Sequence, residues 1–207
     1  MRYATKIPSA FAREIALEQA MNFVKQCEVS GDYLEFGVWQ GRTFSAACFL
    51  AKELRLDMHC WAFDSFQGLP SAEGEFRVGA YRASRDSFLR NVKSCIGDLS
   101  RVHVVQGWFC DSLAKDNPGI ENLDSVAIAW IDCDLYESTI PVLEFLNTRV
   151  QNGSLIFFDD WFCFKGRPDC GEQRACKEWL QQNPNIQLID YVIFGWRGKS
   201  FIAHVRG

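Results

Sequence analysis

Residues 31–44, GDYLEFGVWQGRTF, decide how the chain folds. Residues 32–36 read as a short strand that closes on Glu35, Phe36 and Gly37, and a helix follows from about residue 42 to 55. Glycine at 37 and at 41 lets the backbone turn tightly and approach a ligand where a Cβ would obstruct. The new helix then offers unpaired N–H groups to an anion. The spacing is G-x-x-x-G, so the third glycine of a dinucleotide-binding turn is missing. Glu35, just before the turn, would repel a pyrophosphate but could accept from an ammonium group. The ligand this turn suits therefore carries a carboxylate and an ammonium.

The same strand, turn and helix pattern repeats outward. An amphipathic helix is expected over 9–28 with Ser9 as its N-cap. Further strands are expected at 58–63, closing on Asp64, at 102–107, at 126–132 and at 154–160. A short helix opens at WFCDSLAK, and longer ones follow over ESTIPVLEFLNTRV and near 171–182. These strands are continuously apolar, which suits a parallel sheet covered on both faces by helices. The tail differs: IQLIDYVIF and SFIAHVR flank the turn GWRGK and read as an antiparallel hairpin at one edge. The expected fold is a doubly wound, Rossmann-like α/β sheet in a single domain, with a leading segment 1–30 and a core 31–207.

Composition narrows the partners. The chain has 207 residues, 48% of them hydrophobic, enough for one sizeable core. A formal charge of −4 with both signs scattered leaves no electrostatic footprint for nucleic acid or an acidic membrane. Arg13, Glu14 and Glu18 interrupt the N-terminal region where a signal peptide needs a continuous apolar run, and no span approaches about 20 apolar residues. A cytoplasmic chain with a small-molecule or glycan partner is expected. The nine cysteines are dispersed without a C-x-x-C pair and read as reduced thiols; Cys170 and Cys176 are the two to watch for pairing. His59, His103 and His204 all fall in expected strands and read as structural.

In an open parallel sheet, ligands bind outside the carboxyl ends of the strands. Asp64 follows Glu35 by 29 residues, and an acid at the end of the second strand commonly takes a ribose diol. An amino acid fused to a nucleoside meets both demands, which describes S-adenosylmethionine. Asp132 and Asp134 end one strand and Asp159 and Asp160 the next. If the two strands are neighbours, the ordinary outcome of a helix crossover, they lie about 4.8 Å apart and these carboxylates converge. They either raise a pKa strongly or recruit a hard cation such as Mg²⁺. The alternative is a solvated acidic rim or a set of helix N-caps.

The segments YLEFGVWQGRTF, FDSFQGLP, GWFCDSL, IDCDLYEST and FFDDW, in this order, resemble the macrocin O-methyltransferase family of class I S-adenosylmethionine-dependent methyltransferases over about residues 30–182. The resemblance implies a seven-stranded sheet with an antiparallel last strand, in agreement with the hairpin. It implies that Glu35, Gly37, Gly41 and Thr43 hold the methionine part, Asp64 with Ser65 the ribose, and Gly107 with Trp108 the adenine neighbourhood. It also implies a divalent ion on Asp132, Asp159 and Asp160, with Asp134 the candidate general base. Asp132 borders the cofactor and is the alternative base. The expected reaction is metal-assisted methyl transfer to a sugar hydroxyl of a glycoside, nucleotide sugar or polysaccharide.

Three rivals are weighed against this: a catechol-like diol acceptor, a nicotinamide oxidoreductase on the same architecture, and a noncatalytic interaction module. The long connection 71–98, with Arg77, Tyr81, Arg82 and Arg85, and the loop bearing Phe162, Phe164, Lys165 and Arg167 are expected to shape the acceptor pocket. Longer relatives use the region before the first strand as a lid and a subunit contact. Here it has room for little more than one helix, whose exposed side is available for homodimerisation.

Overall fold

The computed structural model describes residues 11–206. Seven strands form one sheet: β1 (Asp32–Phe36), β2 (Cys60–Asp64), β3 (Val102–Gln106), β4 (Val126–Ile131), β5 (Leu155–Phe158), β6 (Ile186–Phe194) and β7 (Gly198–Val205). Their spatial order is β3-β2-β1-β4-β5-β7-β6. The first five are parallel, and β7 runs antiparallel to both β5 and β6. The expected hairpin is therefore present, with its second strand inserted between the parallel block and the edge.

Six helices cover the sheet: α1 (Ala12–Gln26), α2 (Arg42–Glu53), α3 (Arg85–Ile96), the single turn α4 (Phe109–Ser112), α5 (Tyr136–Leu146) and α6 (Gly171–Gln182). Leu17, Met21, Phe44, Phe88 and Val92 bring α1, α2 and α3 onto one face of the sheet. Val142, Leu143, Ala175 and Trp179 bring α5 and α6 onto the other. Every residue of β4 is buried, and Trp130 stacks on Phe157 of β5 with ring centroids 4.8 Å apart. A strand enclosed on both faces has no polar side to alternate with, which is why it reads as an unbroken apolar run.

Two expectations change. The leading helix was expected from residue 9 with Ser9 as its cap; Ser9 lies outside the described residues, and α1 follows Phe11, which makes no side-chain cap. The connection 71–98 was read as a loop, yet its second half is α3. Ser84 caps that helix by accepting from the Ser87 backbone N–H at 3.2 Å. Phe88, Val92 and Ile96, spaced at four residues, supply its buried stripe. The cap and the stripe were both visible in the sequence.

The order reverses at β1, whose neighbours are β2 on one side and β4 on the other. Crossovers leave this point in opposite directions, and a crevice opens above the strand ends. Gly37 makes the approach possible. Its N–H donates to Phe63 at 2.8 Å, it adopts φ +88°, and an added Cβ would stand 2.0 Å from the Asp132 carbonyl oxygen. Gly37→Ala is expected to destabilise the protein by at least about 2 kcal/mol in urea unfolding, because strain and a backbone clash add.

Candidate active site

A cavity of about 380 Å³ occupies this crevice. Gly37 and Trp39 border it after β1, Asp64 and Ser65 after β2, Gly107 and Trp108 after β3, and Asp132 and Asp134 after β4. Six of the nine residues expected at the cofactor are thus brought together: Gly37, Asp64, Ser65, Gly107, Trp108 and Asp132.

Glu35, Gly41 and Thr43 do not line it. Glu35 is 1% exposed and accepts from the Tyr33 hydroxyl at 2.5 Å. Its side chain shares the face of β1 that carries Tyr33, beneath the helices, because alternate residues of a strand point the same way. Burial pushes its carboxyl up to about 8, against the downward pull of Tyr33 and Arg13. Gly41 instead serves packing: it takes φ +84° where α2 begins, and a Cβ there would meet the Phe88 ring of α3 at 2.8 Å. Thr43 is buried in the first turn of α2.

Asp64 ties the loops together. Its Oδ2 accepts from the backbone N–H groups of Val38 at 2.9 Å and Trp39 at 3.0 Å, and its Oδ1 from that of Phe66 at 2.7 Å. Burial still raises its carboxyl above the ordinary range, although all three donors pull the other way. Gly107 joins the same corner by donating to the Asp64 carbonyl at 3.1 Å. The Ser65 hydroxyl accepts from the Gln67 N–H at 3.1 Å.

The acidic cluster is held by two arginines that the sequence reading passed over. Arg13 of α1 pairs with Asp159 and, at 3.4 Å, with Asp132. Arg197, in the turn between β6 and β7, reaches Asp159 at 2.8 Å and Asp160 at 2.6 Å. Burial works against the charge of both guanidiniums, but the surrounding aspartates outweigh it and hold both cationic. Glu172 of α6 is also buried here and accepts from the Asp160 backbone N–H at 2.9 Å, so it orients the strand end that carries the aspartates.

Oxygen atoms of Asp132, Asp134 and Asp160 lie within 4.8 Å of one another. Asp160 Oδ2 is buried and has no donor among the described residues. Burial and the neighbouring Asp160 push Asp134 up to about 9, so that it keeps its proton at neutral pH. Asp134 also holds a left-handed φ of +61°. With Asp134 protonated, the three other carboxylates still outnumber the two guanidiniums by one negative charge. Hard oxygen donors, an orphaned carboxylate oxygen and this excess all fit a divalent cation.

The acceptor expectations divide. Tyr81 lines the cavity and meets Trp39 edge to face at 6.1 Å. Phe162, Phe164, Lys165 and Arg167 do not line it. Phe164 packs against Phe76 at 5.7 Å, and Arg167 pairs with Asp169 on the surface. Arg77 turns back onto the Gly74 and Phe76 carbonyls, and Arg85 opens α3. His59 and His103 bond each other at 2.9 Å near the starts of β2 and β3, away from the cavity. All nine cysteines are free thiols, Cys170 and Cys176 included.

Comparison with known proteins gives this arrangement its class. The structure of the O-methyltransferase NovP superposes with a TM-score of 0.77 at 24% identity, covering 94% of this chain and 80% of that one. The fold is that of the class I methyltransferases. The sequence matches the macrocin O-methyltransferase (TylF) family over residues 10–198, and the chain belongs to that family. It is 30% identical over 162 residues, 67% of the chain, to demethyldecarbamoylnovobiocin O-methyltransferase of Streptomyces niveus. It is 31% identical over 148 residues, 64% of the chain, to 8-demethyl-8-(2,3-dimethoxy-alpha-L-rhamnosyl)-tetracenomycin-C 4'-O-methyltransferase of Streptomyces olivaceus. The matches span 58% and 54% of those two proteins. Among the described residues no helix is long and apolar enough to cross a membrane.

Glu35 provides a test of the electrostatics that is independent of ligand. Its carboxyl is held at about 8 in the folded protein against 4.5 in a model peptide, so folding binds a proton between these values. The cost of Glu35 is absent below the lower value and fully present above the upper one. Glu35→Gln is expected to match wild type within about 1 kcal/mol near pH 4.5 and to exceed it by roughly 3–5 kcal/mol above pH 8, measured by urea unfolding across pH.

Proposed function

We propose that this protein transfers a methyl group from S-adenosylmethionine to a sugar hydroxyl, with help from a divalent metal ion. The observation that carries the reading is one cavity bordered on one side by Asp64, at the end of β2, and on the other by the aspartates that end β4. A nucleoside-bearing donor and an acceptor oxygen can therefore meet across the switch point of the sheet. The family supports methyl transfer to oxygen, and the rhamnosyl group named for the Streptomyces olivaceus relative supports a sugar acceptor.

S-adenosylmethionine supplies a methyl group already activated by its sulfonium. The chain has to bind, align and deprotonate. Asp64 keeps one unused lone pair, on Oδ1, beside its three backbone donors and receives a ribose hydroxyl there. Gly107 and Trp108 leave room for the adenine. Asp132, Asp159 and Asp160 would hold the metal, with Asp134 beside Asp132 and Asp160, their oxygens within 4.8 Å of one another. Both arginines meet Asp159 through Oδ2, so its Oδ1 stays available. A divalent ion there supplies Lewis-acid stabilisation of negative charge developing on the acceptor oxygen.

Asp134 takes the acceptor proton. It lines the cavity, which Asp159 and Asp160 do not, and its high proton affinity suits a base working at alkaline pH, where it is ionised. Trp39 and Tyr81, at the mouth, offer aromatic faces to a sugar ring and exclude water from the transfer.

The test is calorimetric titration of S-adenosylhomocysteine, followed by methyl transfer from labelled donor to a panel of glycosides, nucleotide sugars and catechols with Mg²⁺ or chelator. Saturable binding and transfer to a sugar that chelator abolishes are expected; binding of NAD in place of the thioether overturns the reading. Asp134→Asn is expected to keep Mn²⁺ affinity within about threefold and to lose about 100-fold or more in kcat. Asp160→Asn is expected to lose the metal itself. Equal loss of Mn²⁺ affinity in both variants would make Asp134 a ligand instead of the base.

A further inference from the structure

An S-adenosyl donor carries an α-carboxylate that needs a partner in the cavity, and the N-terminus of α2, the place the sequence suggests for it, is not there. Gly41 and Thr43 do not line the cavity, and the Phe88 ring presses on Gly41 from α3. Among the described residues the cations that line the cavity are Arg13 and Arg197. Arg197 is committed at both terminal nitrogens, Nη1 to Asp160 and Nη2 to Asp159. Arg13 is not. A single nitrogen, Nη2, serves both Asp159 and Asp132, and among the described residues Nε and Nη1 have no partner.

The location fits as well. Arg13 is about one-third exposed, 34%, and pairs with Asp132, whose carbonyl oxygen packs against Gly37. Gly107 and Trp108 lie beyond Asp64 at the β3 side of the cavity, so Arg13 stands at the opposite end from the adenine neighbourhood. A cation in the first turn of a helix also opposes the helix dipole, so this position does not serve α1 itself.

We infer that Arg13 is the residue that binds the α-carboxylate of the methyl donor, through the Nη1 N–H groups that its aspartate contacts leave unused. The inference rests on the reading of S-adenosylmethionine as donor. With Nη2 held by the aspartates, Nη1 offers a charge-assisted N–H to one carboxylate oxygen, and Asp132 alongside accepts from the donor's ammonium. Binding of the donor thereby clamps α1, an element outside the glycine turn, onto the strand ends.

The experiment compares two ligands on three proteins by calorimetry. S-adenosylhomocysteine carries the amino-acid end; 5′-methylthioadenosine keeps the adenosine and the thioether but lacks it. Arg13→Gln is expected to weaken S-adenosylhomocysteine by roughly 10- to 100-fold and to leave 5′-methylthioadenosine within about threefold. Arg13→Lys is expected to recover part of the loss, as a compact point charge on a flexible stem. Wild type alone gives a second measure that needs no variant to fold. It should bind the analogue with a 3-aminopropyl group, which keeps the ammonium and lacks the carboxylate, more weakly than S-adenosylhomocysteine by a similar factor. Equal loss of both ligands in Arg13→Gln, or no loss of either, overturns the inference while leaving the donor reading intact. Wild type that binds neither thioether overturns both.

Discussion

Four aspartates at the ends of two adjacent strands repel one another, and their burial makes the repulsion stronger because no water screens it. Asp159 and Asp160 are each 1% exposed, and Asp160 keeps one oxygen without a donor among the described residues. The chain offsets this with guanidiniums drawn from opposite ends of the sequence, Arg13 on α1 and Arg197 beyond β6. Much of the architecture around the site can be read as the means of bringing those two charges to one point. The hairpin must insert β7 beside β5 for its turn to overhang Asp160, and α1 must lie on the face beneath Glu35 for its first turn to reach Asp159.

The compensation is incomplete, and that incompleteness has chemical use. Two guanidiniums leave Asp134 with a raised proton affinity and an excess of negative charge beside the cavity. A fully neutralised cluster would be a structural staple. An under-neutralised one attracts a cation and keeps a carboxyl whose proton can move, the two properties that the proposed metal-assisted transfer to a hydroxyl group uses.

Glycine and strain mark where the backbone was constrained by this site. Gly37 is fixed by the Asp132 carbonyl, and Trp39, Tyr81 and Asp134, all at the cavity wall, take left-handed φ values that ordinary residues avoid. Such conformations persist only where the surroundings over-determine them. Here Asp64 supplies part of that determination by accepting from both Val38 and Trp39.

The sequence alone determined the alternation of strands and helices, the reversed final hairpin, and which polar residues close each parallel strand, because these depend on periodicity and turn chemistry within a few residues. It also contained α3, through Ser84 and the Phe88, Val92, Ile96 stripe, although the long connection around it concealed the helix. Only the tertiary structure decided which strand-end residues face the ligand. Glu35, Gly41 and Thr43 sit in the same motif as Gly37, yet strand alternation and the packing of α3 turn them away from the cavity. Arg13 and Asp159 are 146 positions apart, and no local pattern links them. Their meeting is a product of crossover geometry, which a linear chain encodes only through the packing of the whole sheet.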